Sequence, residues 1–268
     1  DNGGTFVFYD GLKSAVASHS MADLKIKGVD TNDVTGSAVA LGDLNNDGVA
    51  DLVIGASEFD PRAKRPEAGI VYVLFGPLGT GSIDVSDASD VFIRGTGKNT
   101  EGASVAVGDM NNDGIDDLVF GAPNGGDFFA GEVDIMLGPI EAGTFVLPDG
   151  IDHRFVGAAS TDHAGTRMAI GDVNGDSIDD LIVGTPFADP GGVSDAGIVE
   201  VLFGPVLPGS DNLKEEADIT TRGLSTEFEA GGGIAIGDLN GDGAADLAVA
   251  EVRARIGGKI GAGRVLVV

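Results

Sequence analysis

The chain has 268 residues, 42% of them hydrophobic, and carries 43 acidic against 16 basic side chains for a formal net charge of -27. That hydrophobic content supplies a packed core and excludes a disordered chain, while the acidity excludes nucleic acid and anionic membranes as partners. No apolar run reaches the ~18 residues that span a bilayer, so no membrane insertion is expected, and the absence of cysteine leaves oxygen ligands for any metal.

With 45 glycines, few aromatics and many short β-branched runs, the chain is expected to be all-β. In chain order, Gly4 to Tyr9 is a strand closed by a turn at Asp10-Gly11. Its plan returns from Ala68 to Pro77, from Ala130 to Pro139 and from Ala196 to Pro205, and starts again at Ala262. Leu24 to Gly28 has relatives at Val91 to Gly95, His153 to Gly157 and Asp218 to Gly223. Their tendency to alternate apolar and polar residues predicts an edge strand with one solvated face. A small-residue strand follows, as at Ser37 to Leu41 or Ser104 to Val107, suited to a crowded position near an axis. After it comes an aspartate-rich loop and an unbroken apolar run such as Leu52 to Ile54 or Leu181 to Val183, which needs cover on both faces.

The aspartate-rich loops begin at Asp43, Asp109, Asp172 and Asp238, spaced 66, 63 and 66 residues apart. A fixed period of this size marks a repeat protein. Four short antiparallel strands per period, with the middle ones covered on both faces, describe a β-propeller blade; a sandwich would not repeat its sequence. The expected division is a partial blade over 1–28, full blades over 29–95, 96–157 and 158–223, and a blade lacking its outer strand over 224–268.

Within the first loop Asp43, Asn45, Asp47 and Asp51 place side-chain oxygens at positions 1, 3, 5 and 9, and Val49 offers its carbonyl at position 7. The set recurs as Asp109, Asn111, Asp113, Ile115 and Asp117, then Asp172, Asn174, Asp176, Ile178 and Asp180, then Asp238, Asn240, Asp242, Ala244 and Asp246. Hard oxygen donors in this number point to Ca²⁺, so about four sites are expected. Without a cation, like charges a few Å apart would repel by about 1 to 4 kcal/mol per pair. Position 6 is Gly48, Gly114 and Gly243 but Ser177 in the third loop, which is expected to be the strained one. The bidentate glutamate that ends an EF-hand is replaced by Ile54, Phe120, Val183 or Val249, so the loops are read as hairpins.

Gly-Asp-x-Asn-x-Asp-Gly-x-x-Asp-Leu followed by Gly-Ala-Pro and Ala-Gly-x-Val resembles the FG-GAP repeat family, the integrin α-subunit propeller and its bacterial relatives. Of the Phe-Gly pair only Gly36, Gly102, Gly165 and Gly231 remain. The resemblance implies structural ions in the lower hairpins of an extracellular protein and ligands on the upper loops. Here those are Ser57 to Glu67, Asn124 to Phe129, Phe187 to Asp195 and Glu251 to Lys259, the first and last holding Arg62, Lys64, Arg65, Arg253, Arg255 and Lys259. The family's usual ring has more blades than this chain, which begins at Asp1 and is read as a mature or excised segment; a homo-oligomer or further blades would complete it.

The function expected is a calcium-stabilised adhesion or binding module for a protein or glycan. His19, His153 and His163 share no repeat register, and no serine sits in a Gly-x-Ser-x-Gly elbow. The chain is therefore expected not to be an enzyme. The alternatives are a propeller lyase or hydrolase with carboxylates in an upper-face cleft, or a structural spacer.

Overall fold

The computed structural model of the chain describes residues 3–9, 22–29, 32–59, 68–97, 99–259 and 261–268. The turn at Asp10-Gly11, His19 and the loop cations Arg62, Lys64 and Arg65 lie outside the described residues.

Three sheets hold the four antiparallel strands expected from the repeat. In the first, β3 (Thr35–Gly42), β4 (Asp51–Ala56), β5 (Ile70–Leu74) and β7 (Val91–Arg94) pair in that order. The second contains β8 (Ser104–Gly108), β9 (Asp117–Ala122), β10 (Glu132–Met136) and β12 (His153–Val156). The third contains β13 (Arg167–Gly171), β14 (Asp180–Thr185), β15 (Ile198–Leu202) and β17 (Ile219–Arg222). A fourth sheet joins β18 (Ala230–Gly237), β19 (Asp246–Glu251) and β20 (Arg264–Val267). Before the first lies a small sheet of β1 (Gly4–Val7), β2 (Leu24–Lys27) and β6 (Gly81–Asp84).

The apolar middle strands dictate how the sheets stack. Every residue of β4, β9 and β14 is buried, and because side chains alternate across a strand, neighbouring residues serve different cores. On β9, Leu118 and Phe120 pack with Val53, Val71 and Ile93 of the first sheet. Val119 between them packs instead with Leu181 and Val183 of the third. In turn Ile182 packs with Leu247 and Val249 of the fourth, and Leu24 and Ile26 cover Ile54 and Tyr72 from the other side. Each sheet thus closes one core and opens the next, which is propeller-blade packing.

Backbone approaches backbone where these sheets meet. A Cβ on Gly55 would run into the carbonyl oxygen of Gly102, and one on Gly121 into that of Gly165. The partner glycines have φ of 75° and 79°, so neither side of the contact accepts a side chain without moving a sheet. The residues leading into the inner strands, Val34, Thr100, His163 and Glu229, also have positive φ, of 53°, 58°, 56° and 51°. For β-branched Val34 and Thr100 that conformation is costly.

The outer strands β2, β7 and β12 are not edges, whereas β17 of the third sheet is one. A short strand crosses back to the preceding sheet in each unit: β6 pairs parallel with β2, β11 (Gly143–Val146) with β7, and β16 (Gly209–Asn212) with β12. Helical turns α1 (Val85–Ala88) and α2 (Leu213–Glu216) follow the first and last of these strands. The crossing segments Gly-Ser-Ile-Asp, Gly-Thr-Phe-Val and Gly-Ser-Asp-Asn share too little sequence to stand out as a repeat.

Candidate functional site

The four aspartate-rich stretches form the β3–β4, β8–β9, β13–β14 and β18–β19 hairpin loops. In the first, the Asp47 amide donates to both Asp43 Oδ1 and Asn45 Oδ1 at 3.0 Å, so these two oxygens share one donor. Gly48 N donates to Asp43 Oδ2 at 2.8 Å and Val49 N to Asp47 Oδ1 at 2.8 Å. Positions 1, 3 and 5 are thereby held at the surface by the loop's own backbone. Position 9 is different: Asp51 is buried, accepting from Leu44 N at 2.9 Å and Gly76 N at 2.9 Å. Asp117 and Asp180 are bound in the same way. Burial pushes Asp117 up to about 6, although the Gly138 and Met110 amides hold it down.

The loops divide into two pairs that the spacing did not separate. Asn45 and Asn111 turn their amide groups to Asp47 and Asp113, at 3.0 Å in each case. Asn174 and Asn240 turn theirs instead to the position-9 carboxylates of Asp180 and Asp246, at 3.3 and 3.0 Å. The next residue distinguishes the pairs: left-handed Asn46 and Asn112 in one, left-handed Gly175 and Gly241 in the other. Ser177 does take the left-handed conformation expected of a glycine position, with φ of 69°. Asp, Asn, Asp, a backbone carbonyl and a fixed Asp are oxygen donors of the kind a hard divalent ion takes, but among the described residues no loop's three carboxylates bring one oxygen each within 4.8 Å of the others.

Successive loops are also tied together. Asp43 N donates to Asp116 Oδ2 at 2.7 Å and Asp109 N to Asp179 Oδ2 at 3.0 Å. Position 8 of each loop thus caps the loop before it, a role invisible in a list of metal ligands. Where position 8 is Ala245, the link is its own N–H donating to Asp172 O at 2.8 Å.

At the other end of the strands, a cleft of about 430 Å³ opens between the second and third sheets. Glu200, Asp162, Thr185 and Ala164 line it, with Lys214 and Arg222 among its walls. Glu200 is buried, and desolvation pushes its carboxyl up to about 7 against a 3.4 Å hydrogen bond from Thr185 Oγ1. Desolvation, aided by Asp189, likewise raises Asp162 to about 6. His163, next to Asp162 in the chain, stacks on Phe129 with centroids 6.0 Å apart and meets the edge of Phe187 at 5.5 Å. Strand register shows why the cleft exists. Ala164 and Glu101 occupy equivalent positions opposite Gly131 and Gly69, and Thr220 opposite Glu200 corresponds to Arg154 opposite Asp134. Large charged side chains fill one interface, whereas small ones leave the other open. Glu200 lies on a recurring strand but at a position that is Tyr72 and Asp134 in the other copies, and Asp162 precedes the small-residue strand where the copies differ, so spacing gave no signal for them.

Comparison with known proteins follows the same boundaries. The FG-GAP repeat model matches residues 35–74, 102–136 and 164–202; the fourth copy, from Asp238, falls outside the matched residues. The chain is 34% identical over 70% of its length to phosphatidylinositol-glycan-specific phospholipase D of Homo sapiens, and 34% identical over 68% to that of Bos taurus. It is 34% identical over 65% of its length to integrin alpha-7 of Mus musculus and 37% identical over 40% to integrin alpha-3 of Cricetulus griseus. It spans 23% and 22% of the two phospholipases and 14% and 10% of the two integrins.

The expectation that the chain is not an enzyme does not stand, because the phospholipases are enzymes by name. It rested on catalytic motifs missing from a scaffold segment, and a scaffold does not report the chemistry of the protein that carries it. The repeat that the aspartate loops mark out is the FG-GAP repeat, and the chain is similar over part of its length to integrin alpha subunits as well as to the phospholipases.

Proposed function

We propose that the chain is a calcium-clamped binding segment of an extracellular or cell-surface protein, taking a protein or glycan ligand on the loop face opposite the aspartate hairpins. The observation that carries the reading is the open cleft between the second and third sheets, where the neighbouring interface is closed. Carboxylates, hydroxyls and two cations around about 430 Å³ suit a polyhydroxylated or zwitterionic ligand better than an apolar one. The partly exposed rings of Phe129 and Phe187 add flat surface beside it.

In this reading Asp43, Asn45, Asp47, the Val49 carbonyl and Asp51, with their equivalents in the other three hairpins, hold Ca²⁺. The ion supplies positive charge that offsets the clustered carboxylates. The chain's own contribution is to fix the loop through backbone N–H groups before any ion arrives. Exposed loop sites of this kind suit the millimolar calcium found outside cells.

A glycan and peptide array, probed with the wild type and with Ala164→Glu/Thr220→Arg, tests the cleft by rebuilding in it the side chains that close the neighbouring interface. Binding lost at unchanged calcium-dependent melting supports the reading. A ligand bound equally by both proteins lies elsewhere and removes the cleft from the proposal.

A second reading is favoured by Asp162 and Glu200, whose carboxyls at about 6 and about 7 exchange protons near neutral pH. Acid–base work on a bound glycan or ester would use them. Turnover of an array ligand, abolished in Asp162→Asn or Glu200→Gln at retained binding, distinguishes that reading from binding alone.

A further inference from the structure

Between the first and second sheets the protein buries three carboxyl groups beside one guanidinium. Glu101, Glu132 and Asp134 are 0%, 8% and 0% exposed, and each brings one carboxylate oxygen within 4.8 Å of the others. Among the described residues no other such group of three acidic or histidine side chains occurs. Arg154 donates to Asp134 through Nε at 2.5 Å and Nη2 at 2.7 Å, and its Nη1 lies 3.3 Å from Glu132 Oε2. Glu101 is the least compensated of the three: neither of its oxygens meets hydrogen-bond geometry among the described residues, and only the more distant Arg154 charge and a loose contact with the Asn99 side chain hold its proton affinity down.

Ionised together, three carboxylates against one guanidinium would leave two negative charges in a desolvated space, where each uncompensated buried charge costs several kcal/mol; burial accordingly pushes all three carboxyls up, Glu101 well up. One divalent cation balances the two charges. Three carboxylate oxygens that all lie within 4.8 Å of one another can face one ion, and hard oxygen donors suit a divalent cation. With both oxygens of Asp134 engaged by Arg154, the free oxygens of Glu101 form the open side of the group. The equivalent interface between the second and third sheets has Ala164 and Ile198 in place of Glu101 and Glu132, keeps a carboxylate, Glu200, in place of Asp134, and opens into the cleft, so the three carboxylates together are not demanded by the repeat.

We propose that Glu101, Glu132 and Asp134 form a fifth divalent-cation site that bolts the first sheet to the second and is independent of the four hairpin loops. Arg154 is its positioning residue, holding Asp134 and Glu132 toward the ion. Unlike the loops, the site is shielded from solvent, so its ion carries few or no water ligands.

Equilibrium dialysis of the chelator-stripped full chain against calcium, compared with Glu101→Gln, tests this. The variant is expected to bind one ion fewer per chain. Failure of the hairpin loops to bind would lower both totals alike and leave that difference intact, so the two readings fail separately. Equal stoichiometry overturns the proposal and means that a proton relieves the buried charge instead. Because Glu101→Gln can also disturb packing, europium luminescence lifetimes on the wild type give a second measure. A population of nearly dehydrated ions is expected, and lifetimes reporting only well-hydrated ions would overturn the site.

Discussion

Replacing Glu200 by glutamine should stabilise the protein in mild alkali and leave it unchanged in acid. Glu200 is 4% exposed, and burial lifts its carboxyl from 4.5 to about 7; Asp162 adds to the rise, while Thr185 and Lys214 oppose it. The folded chain therefore holds this proton more tightly than the unfolded chain. The stability so contributed is complete below about 4.5 and is lost as pH rises through about 7. A separation of about 2.5 units corresponds to at most about 3 kcal/mol, reduced by whatever water the open cleft admits. Glutamine keeps the shape and a partner for Thr185 but has nothing to ionise. The variant should gain on the wild type across this interval, by up to roughly 10 °C in Tm at about 2 to 4 °C per kcal/mol. Thermal unfolding of both proteins at saturating calcium, from about pH 5 to about pH 8, checks it, and the difference between them cancels the loop carboxylates. A difference that does not grow with pH refutes the reasoning. A variant less stable at about pH 8 would show that Lys214 or Arg222 holds Glu200 ionised.

Removing calcium should lower Tm, because binding confined to the folded chain contributes about 2.7 kcal/mol per site at a hundredfold excess over Kd; a melting curve indifferent to chelator would sink the clamp. Asp113→Ala should cost stability yet spare ligand binding at saturating calcium, and selective loss of binding at unchanged stability would move the ion to the ligand site. Asp179→Ala removes the carboxylate that accepts from Asp109 N of the preceding loop. It should cost about 1 to 2 kcal/mol by denaturant midpoint, and no cost would mean that the cap between sheets is idle. Val34→Asn puts a residue that tolerates positive φ where β-branched valine now has φ of 53°. A gain of about 1 kcal/mol is expected, and a loss would show that packing, not backbone strain, governs the turn.

The sheet plan was legible because it repeats and because burial on both faces leaves an unmistakable apolar run at Leu52 to Ile54, Leu118 to Phe120 and Leu181 to Val183. The hairpin loops were legible for the same reason, since Asp, Asn and Gly recur in them at fixed offsets. What escaped was set by tertiary pairing. Strands β6, β11 and β16 are defined by the neighbouring sheet they reach, not by their own residues. Asp116 and Asp179 carry no repeat signal, since position 8 is alanine in the first and fourth loops, yet they accept from the backbone of the preceding loop.

The repeat itself argues for where specificity must lie. Glycines such as Gly55 and Gly102, or Gly121 and Gly165, are fixed by backbone contact between sheets, and the β4, β9 and β14 residues are fixed by the cores on either side. Neither constraint reaches the position occupied in turn by Thr35, Glu101, Ala164 and Ala230, which the same bridge to a glycine places at successive interfaces. Its neighbours on the next strand vary with it: Tyr72 pairs with Phe92, Asp134 with Arg154 and Glu200 with Thr220. Packing alone would be satisfied by the apolar solution at every interface, as Tyr72 and Phe92 show with rings 5.8 Å apart. The second interface gives up that solution to bury charge and the third gives it up to leave space. A scaffold that abandons its own cheapest packing at two adjacent places does so for something other than stability, and those places are where ion and ligand chemistry should be sought first.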